Sequence, residues 1–80
     1  MIIGPQIRAA RALLNWSADD LANFVGATRQ TILRLEQAAG VPSTKLQTMS
    51  SIIAAFEEAG VEFIGSPDKG AGVRFKPDAG

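Results

Sequence analysis

Residues 17–37 read SADDLANFVGATRQTILRLEQ, and the spacing within this stretch decides the fold. Ser17 offers an N-cap oxygen, Asp19 and Asp20 place negative charge in the first helical turn, and Asp20 stands where a capping box wants its acid. Leu21, Ala22, Phe24 and Val25 carry the apolar side of this short helix. Gly26 follows, a residue free to take positive φ and turn the chain sharply. Thr28 is the next capping residue, and Ile32 and Leu35 give the next helix a buried stripe. Its other positions, Arg29, Gln30, Thr31, Arg34 and Gln37, all carry hydrogen-bonding groups. Leu21, Ala22, Val25, Gly26, Ile32 and Leu35 fall at helix-turn-helix spacing. Ala22 lets two helices cross closely, and Leu21, Val25, Ile32 and Leu35 fill the wedge behind the turn.

Upstream, Gly4 and Pro5 open a helix in which Ile7, Ala10, Leu13 and Leu14 recur at three- and four-residue spacing, ended by Asn15 and Trp16. A single tryptophan between two short helices reads as core. Downstream, a loop at Gly40, Val41 and Pro42 leads to Ser43 and Thr44, alternative caps for a longer helix with Leu46, Met49, Ile52, Ile53 and Phe56 on one side. Gly60 stops it. The period then becomes two: Val61 to Ile64 and Val73 to Lys76 read as strands, with Gly65 to Gly72 between them, too long for a two-residue hairpin turn. The expected fold is mainly α, a small four-helix domain over 1–60, with a two-stranded β-ribbon over 61–76 and a frayed tail over 77–80.

The chain has 80 residues with eight basic and eight acidic side chains, so one small domain is expected and a second has no room. Absence of Cys and His excludes disulfides, zinc fingers, thiol nucleophiles and imidazole acid–base chemistry, and no metal or cofactor is expected. The pairs Asp19-Asp20 and Glu57-Glu58 are adjacent on helices, point about 100° apart and cannot converge as a dyad, so no enzyme is expected. The longest apolar run, Ile52 to Phe56, is far too short for a membrane span, and the opening residues lack a signal-peptide pattern. A soluble, cytoplasmic, nucleoid-associated protein with no membrane partner is the expectation. Charge is uneven: residues 1–56 carry a net +2 and the remainder −2.

The stretches RAARALLNWSADDLANFVGATRQTILRLEQ (8–37) and TMSSIIAAFEEAG (48–60) together resemble the Cro and lambda-repressor type of helix-turn-helix regulators, the Xre family. The resemblance covers roughly residues 5–59. It implies a lambda-repressor-like domain whose third helix enters the major groove of double-stranded DNA. Carried over, Arg29, Gln30 and Arg34 contact bases; the side-chain chemistry agrees, since an Arg fork matches guanine O6 and N7 and a Gln amide matches adenine. Thr28 and Thr31 are expected to cap the helix and touch the backbone. Ser43, Thr44 and Lys45 stand to clamp a phosphate or simply to cap the fourth helix. The resemblance also pairs Arg11 with Glu36 in a structural salt bridge.

Two positions depart from the family pattern. Ala18 stands where a Gln commonly holds a phosphate, and Leu33 replaces a common polar residue, with a thymine methyl, the core or a partner chain all open as its contact. In the ribbon, Val61, Phe63, Val73 and Phe75 share one parity, while Glu62, Arg74 and Lys76 share the other and stand to pair across the ladder. A lone two-stranded ribbon is marginal in water, so it must dock on the helices, join a second chain, or both. These four apolar residues are the expected dimerisation set. The functional expectation is a homodimeric transcriptional regulator, a repressor, on a near-palindromic operator. The alternative is a helix-turn-helix scaffold that grips a protein partner and holds DNA only weakly.

Overall fold

The first helix, α1 (Gly4–Leu14), starts where its N-terminus meets the end of the third. The Gly4 N–H donates to the Gly40 carbonyl at 3.1 Å, and a Cβ at Gly4 would fall 2.7 and 2.8 Å from the carbonyl oxygens of Leu35 and Glu36. Backbone fills that space, so only glycine fits. Asn15 closes α1 in the left-handed conformation at φ 57°. The computed structural model describes residues 1–77; the greater part of the expected tail, 78–80, lies outside the described residues.

Helix α2 (Ala18–Val25) carries the capping box read from the sequence: the Asp20 N–H donates to Ser17 Oγ at 3.0 Å and the Ser17 N–H donates to Asp20 Oδ2 at 2.8 Å. Gly26 ends it at φ 70°, with nothing within 4 Å of a hypothetical Cβ, so the requirement there is conformational rather than steric. Helix α3 (Arg29–Gln37) begins at Thr28, whose Oγ1 accepts from the Thr31 N–H at 3.1 Å.

Helix α4 (Leu46–Glu58) departs from expectation at its start. Its N-cap is Lys45, with no side-chain cap, rather than Ser43 or Thr44. Pro42 is buried and Arg34 Nη1 donates to the Ser43 carbonyl at 3.2 Å, so the loop is drawn extended against α3 for longer. Leu46 consequently overhangs the core and is 74 % exposed, although Met49, Ile52 and Phe56 face inward as expected. These three meet Ile7, Leu21, Ile32, Leu35 and Val61 in one core. Trp16 packs on it, stacked on Phe56 with ring centroids 5.4 Å apart. Phe24 is a second correction: it covers Trp16 from outside at 4.6 Å and remains 61 % exposed.

Strands β1 (Val61–Ser66) and β2 (Lys69–Phe75) form an antiparallel hairpin. The connection is therefore only Pro67 and Asp68, not the whole of Gly65 to Gly72; Ser66 faces both Lys69 and Gly70, which makes a bulge beside the turn. Cross-strand partners are Val61 and Phe75, Glu62 and Arg74, Phe63 and Val73. The hairpin lies against α1 and α4, and Gln6 fastens it: Nε2 donates to the carbonyls of Ile64 at 3.2 Å and Gly72 at 2.9 Å, while Oε1 accepts from the Ile3 N–H at 2.8 Å. The radius of gyration, 11.7 Å, is that of a single compact body, about 12 Å for this length. Among the described residues, no helix is long and apolar enough to cross a membrane.

Candidate nucleic-acid interface

Helix α3 has two unlike sides. Ile32, Leu35 and Glu36 are buried, Leu33 is half-buried against the core, and Arg29, Gln30, Arg34 and Gln37 are exposed. The burial follows from the i, i+3, i+4 spacing of 32, 35 and 36, which turns one stripe onto α1 and α2. Of the contacts left open for Leu33, core packing is the one this placement uses. Ala18 is likewise buried, at the first turn of α2, where a longer polar side chain would have to leave the core.

The helix is anchored by charge on its inner side. Arg11 Nε and Nη2 donate to the two Glu36 carboxylate oxygens at 2.5 and 2.8 Å, and Nη1 donates to the Trp16 carbonyl at 3.0 Å. Hydrogen bonding to Glu36 raises the Arg11 pKa above its ordinary value, against the opposing effect of burial. The salt bridge implied by the resemblance is thus present, and one guanidinium ties α1, α3 and the segment before α2 together.

On the outer side, Thr28 and Thr31 are linked hydroxyl to hydroxyl at 2.9 Å, so part of their hydrogen-bonding capacity serves the cap. Thr31, Arg34, Thr44 and Lys45 line a concave surface of about 360 Å³ with Gly26, Ala27 and Thr48. Two cations and three hydroxyls therefore converge beside the uncapped start of α4, a combination suited to a phosphate oxygen. Arg29, Gln30, Thr28 and Ser43 stand outside this groove, on exposed surface nearby in the chain. Thr48 was missed in the sequence, although its position three residues after Lys45 puts both on one helical face.

The residues expected to join two chains divide. Val61 is 0 % exposed and spent in its own chain's core, so its side chain has no surface to give a partner. Phe63 and Val73 are half-buried against that core; Phe75, 55 % exposed, alone of the four presents a large apolar surface. No protein-family model and no curated protein matches the chain.

Proposed function

We propose that this chain is a sequence-specific DNA-binding transcriptional regulator, a repressor, in which the α2–Gly26–α3 unit is a helix-turn-helix and α3 lies in the major groove. The observation that carries the reading is the two-sidedness of α3: one stripe locked by Ile32, Leu35 and the Arg11–Glu36 pair, the other offering Arg29, Gln30 and Arg34 together. A rigidly held helix loses little freedom when its side chains meet base edges, and each bidentate contact is worth about 1–3 kcal/mol of discrimination. Arg34 keeps donors to spare beyond the one given to Ser43. Thr28, Thr31, Ser43, Thr44 and Lys45 hold the backbone.

One chain carries one such helix, and two half-sites lie about 34 Å apart, so a homodimer is part of the proposal. Phe75 and the open hairpin edges are its contact surface, with Phe63 and Val73 beneath. The zero net charge supports a binder whose affinity comes from matched contacts rather than from bulk attraction to phosphate. The same neutrality favours the second reading, a scaffold for a protein partner.

Selection of random duplex DNA by the purified chain separates the two. The expected result is a near-palindromic motif, bound about 10³-fold or more above non-specific DNA and weakened at least about fivefold by Arg29→Ala, Gln30→Ala or Arg34→Ala. Folded, dimeric protein that enriches no motif would transfer the assignment to the protein-binding scaffold.

A further inference from the structure

On the side of the molecule walled by α2 and α4, Trp16, Phe24, Ser51, Ala54, Ala55 and Glu58 line an open groove of about 450 Å³. Its wall is aromatic on the α2 side and made of small residues on the α4 side, so an apolar side chain entering it would meet aromatic carbon and no competing bulk. Its electrostatics are one-sided. Helix α2 carries Asp19 and Asp20, α4 carries Glu57 and Glu58, and neither helix holds a lysine or arginine. At the α4 end Lys76 Nζ donates to the Glu57 carbonyl at 3.1 Å, and the groove-lining carboxylate is Glu58.

An apolar floor, a carboxylate on the wall (Glu58) and two flanking helices without a cation together select the occupant. DNA and anionic lipid surfaces are repelled by carboxylates. An acidic helix is repelled likewise. We propose that this groove docks a basic amphipathic helix of another protein, an apolar residue seated against Phe24 and Trp16 and a flanking Lys or Arg facing Glu58. None of these residues belongs to α3, so the inference is independent of the DNA reading.

The test uses three synthetic helical peptides of about 14 residues, four turns each. The first has a Leu/Phe stripe with Lys and Arg elsewhere, the second the same stripe with Glu elsewhere, and the third the cations with Ser in place of the stripe. Trp16, the chain's single tryptophan, reports occupancy by its emission. The first peptide is expected to shift that emission and to bind at least about tenfold more tightly than either other. Ala54→Arg, at an exposed position, should weaken it at least about tenfold while duplex-DNA binding and the circular dichroism spectrum stay unchanged. Should that variant misfold, Phe24→Ser replaces it, and Glu58→Lys should weaken the basic peptide in either case. Equal binding of all three peptides, no binding of the first, or binding indifferent to these substitutions overturns the proposal. A sedimentation dimer dissolved by Ala54→Arg also overturns it, by giving the groove to a second copy.

Discussion

Two arginine–glutamate forks hold two regions of this molecule, and their geometry is nearly the same. Arg11 grips Glu36 through Nε and Nη2 at 2.5 and 2.8 Å; Arg74 grips Glu62 through the same two nitrogens at 3.1 Å each. Their surroundings differ. The first pair's side chains are 17 % and 4 % exposed and join elements far apart in the chain, whereas the second pair's are 55 % and 33 % exposed and lie across one hairpin. A bidentate drawing therefore does not state what a pair is worth. Where water is excluded, losing one partner strands a charge; where water is present, it takes the partner's place.

The strongest way to break the comparison is Arg11→Ala. Glu36 would be left buried without its counter-ion and the Trp16 carbonyl without its donor, a loss of about 3–5 kcal/mol. For a domain of this size that lowers Tm by at least about 12 °C, measurable by thermal denaturation. The double variant Arg11→Met/Glu36→Leu sharpens the point: removing both charges should recover much of the loss. A double variant as unstable as the sum of the singles would show that the pair's packing, not its charge, holds α1 to α3.

If the exposed fork contributes little, the hairpin is held by the apolar packing of Val61, Phe63 and Val73 and by one polar fastening, Gln6. Gln6→Ala removes one acceptor and two donations from partly buried backbone, at a cost of about 2–3 kcal/mol. The effect should be regional: amide hydrogen exchange in β1 and β2 accelerates while α2 and α3 stay protected. Uniform acceleration would mean that the hairpin is not a separable unit.

These two regions also differ in how much of them is legible in the sequence. The α2–α3 joint was written in local signals: Ser17 with Asp20, Gly26, Thr28, and the apolar residues Leu21, Ala22, Ile32 and Leu35 at helical spacing each act within a turn or two, and each is found in place. The inner and outer sides of α3 follow from the same periodicity. The hairpin was legible only in part. Alternation put Glu62, Arg74 and Lys76 on one face, of which Glu62 and Arg74 pair, but Gln6 meets Ile64 and Gly72 from 58 and 66 residues away, and no local pattern announces such a bond. Ser66-Pro67-Asp68 followed by Gly70 did carry a turn signal, hidden within a glycine-rich stretch read as one long loop. Phe24 and Leu46 are apolar residues at plausible core spacing that helix ends leave outside, since periodicity fixes a direction but not whether a neighbour lies that way. The groove beside α4 needed the fold, because Thr31 and Arg34 come from α3, Thr44 and Lys45 from the loop after it and Thr48 from α4, and the loop's extended path depends on the Arg34–Ser43 contact.

A smaller effect tests the local side of the contrast. Thr28→Ala deletes the oxygen that accepts from the Thr31 N–H and should cost about 1 kcal/mol. Thr28→Ser, which keeps the oxygen, should restore most of it in chemical denaturation. Because the cap adjoins Arg29 and Gln30, the proposed DNA reading also expects weaker operator binding from the Ala variant than from the Ser variant.

The smallest effect belongs to the exposed fork itself. Arg74→Met is expected to leave Tm unchanged within error, since solvent and salt screen the pair. The interaction should still be visible in titration: hydrogen bonding from Arg74 lowers the Glu62 pKa below its ordinary value of 4.5, with desolvation opposing and the charges of Arg74 and Lys76 assisting. A lowered folded-state pKa means that the pair's contribution is present above the unfolded value and fades as pH falls through the folded one. A carboxyl-resolved NMR titration should place Glu62 below that ordinary value in the native chain and return it upward in Arg74→Met. High salt should produce most of the same return. Were Arg74→Met instead to unfold the hairpin, as judged by β1 and β2 amide exchange, the exposed fork would carry the load assigned to Gln6, and the contrast between the two arginines would fail.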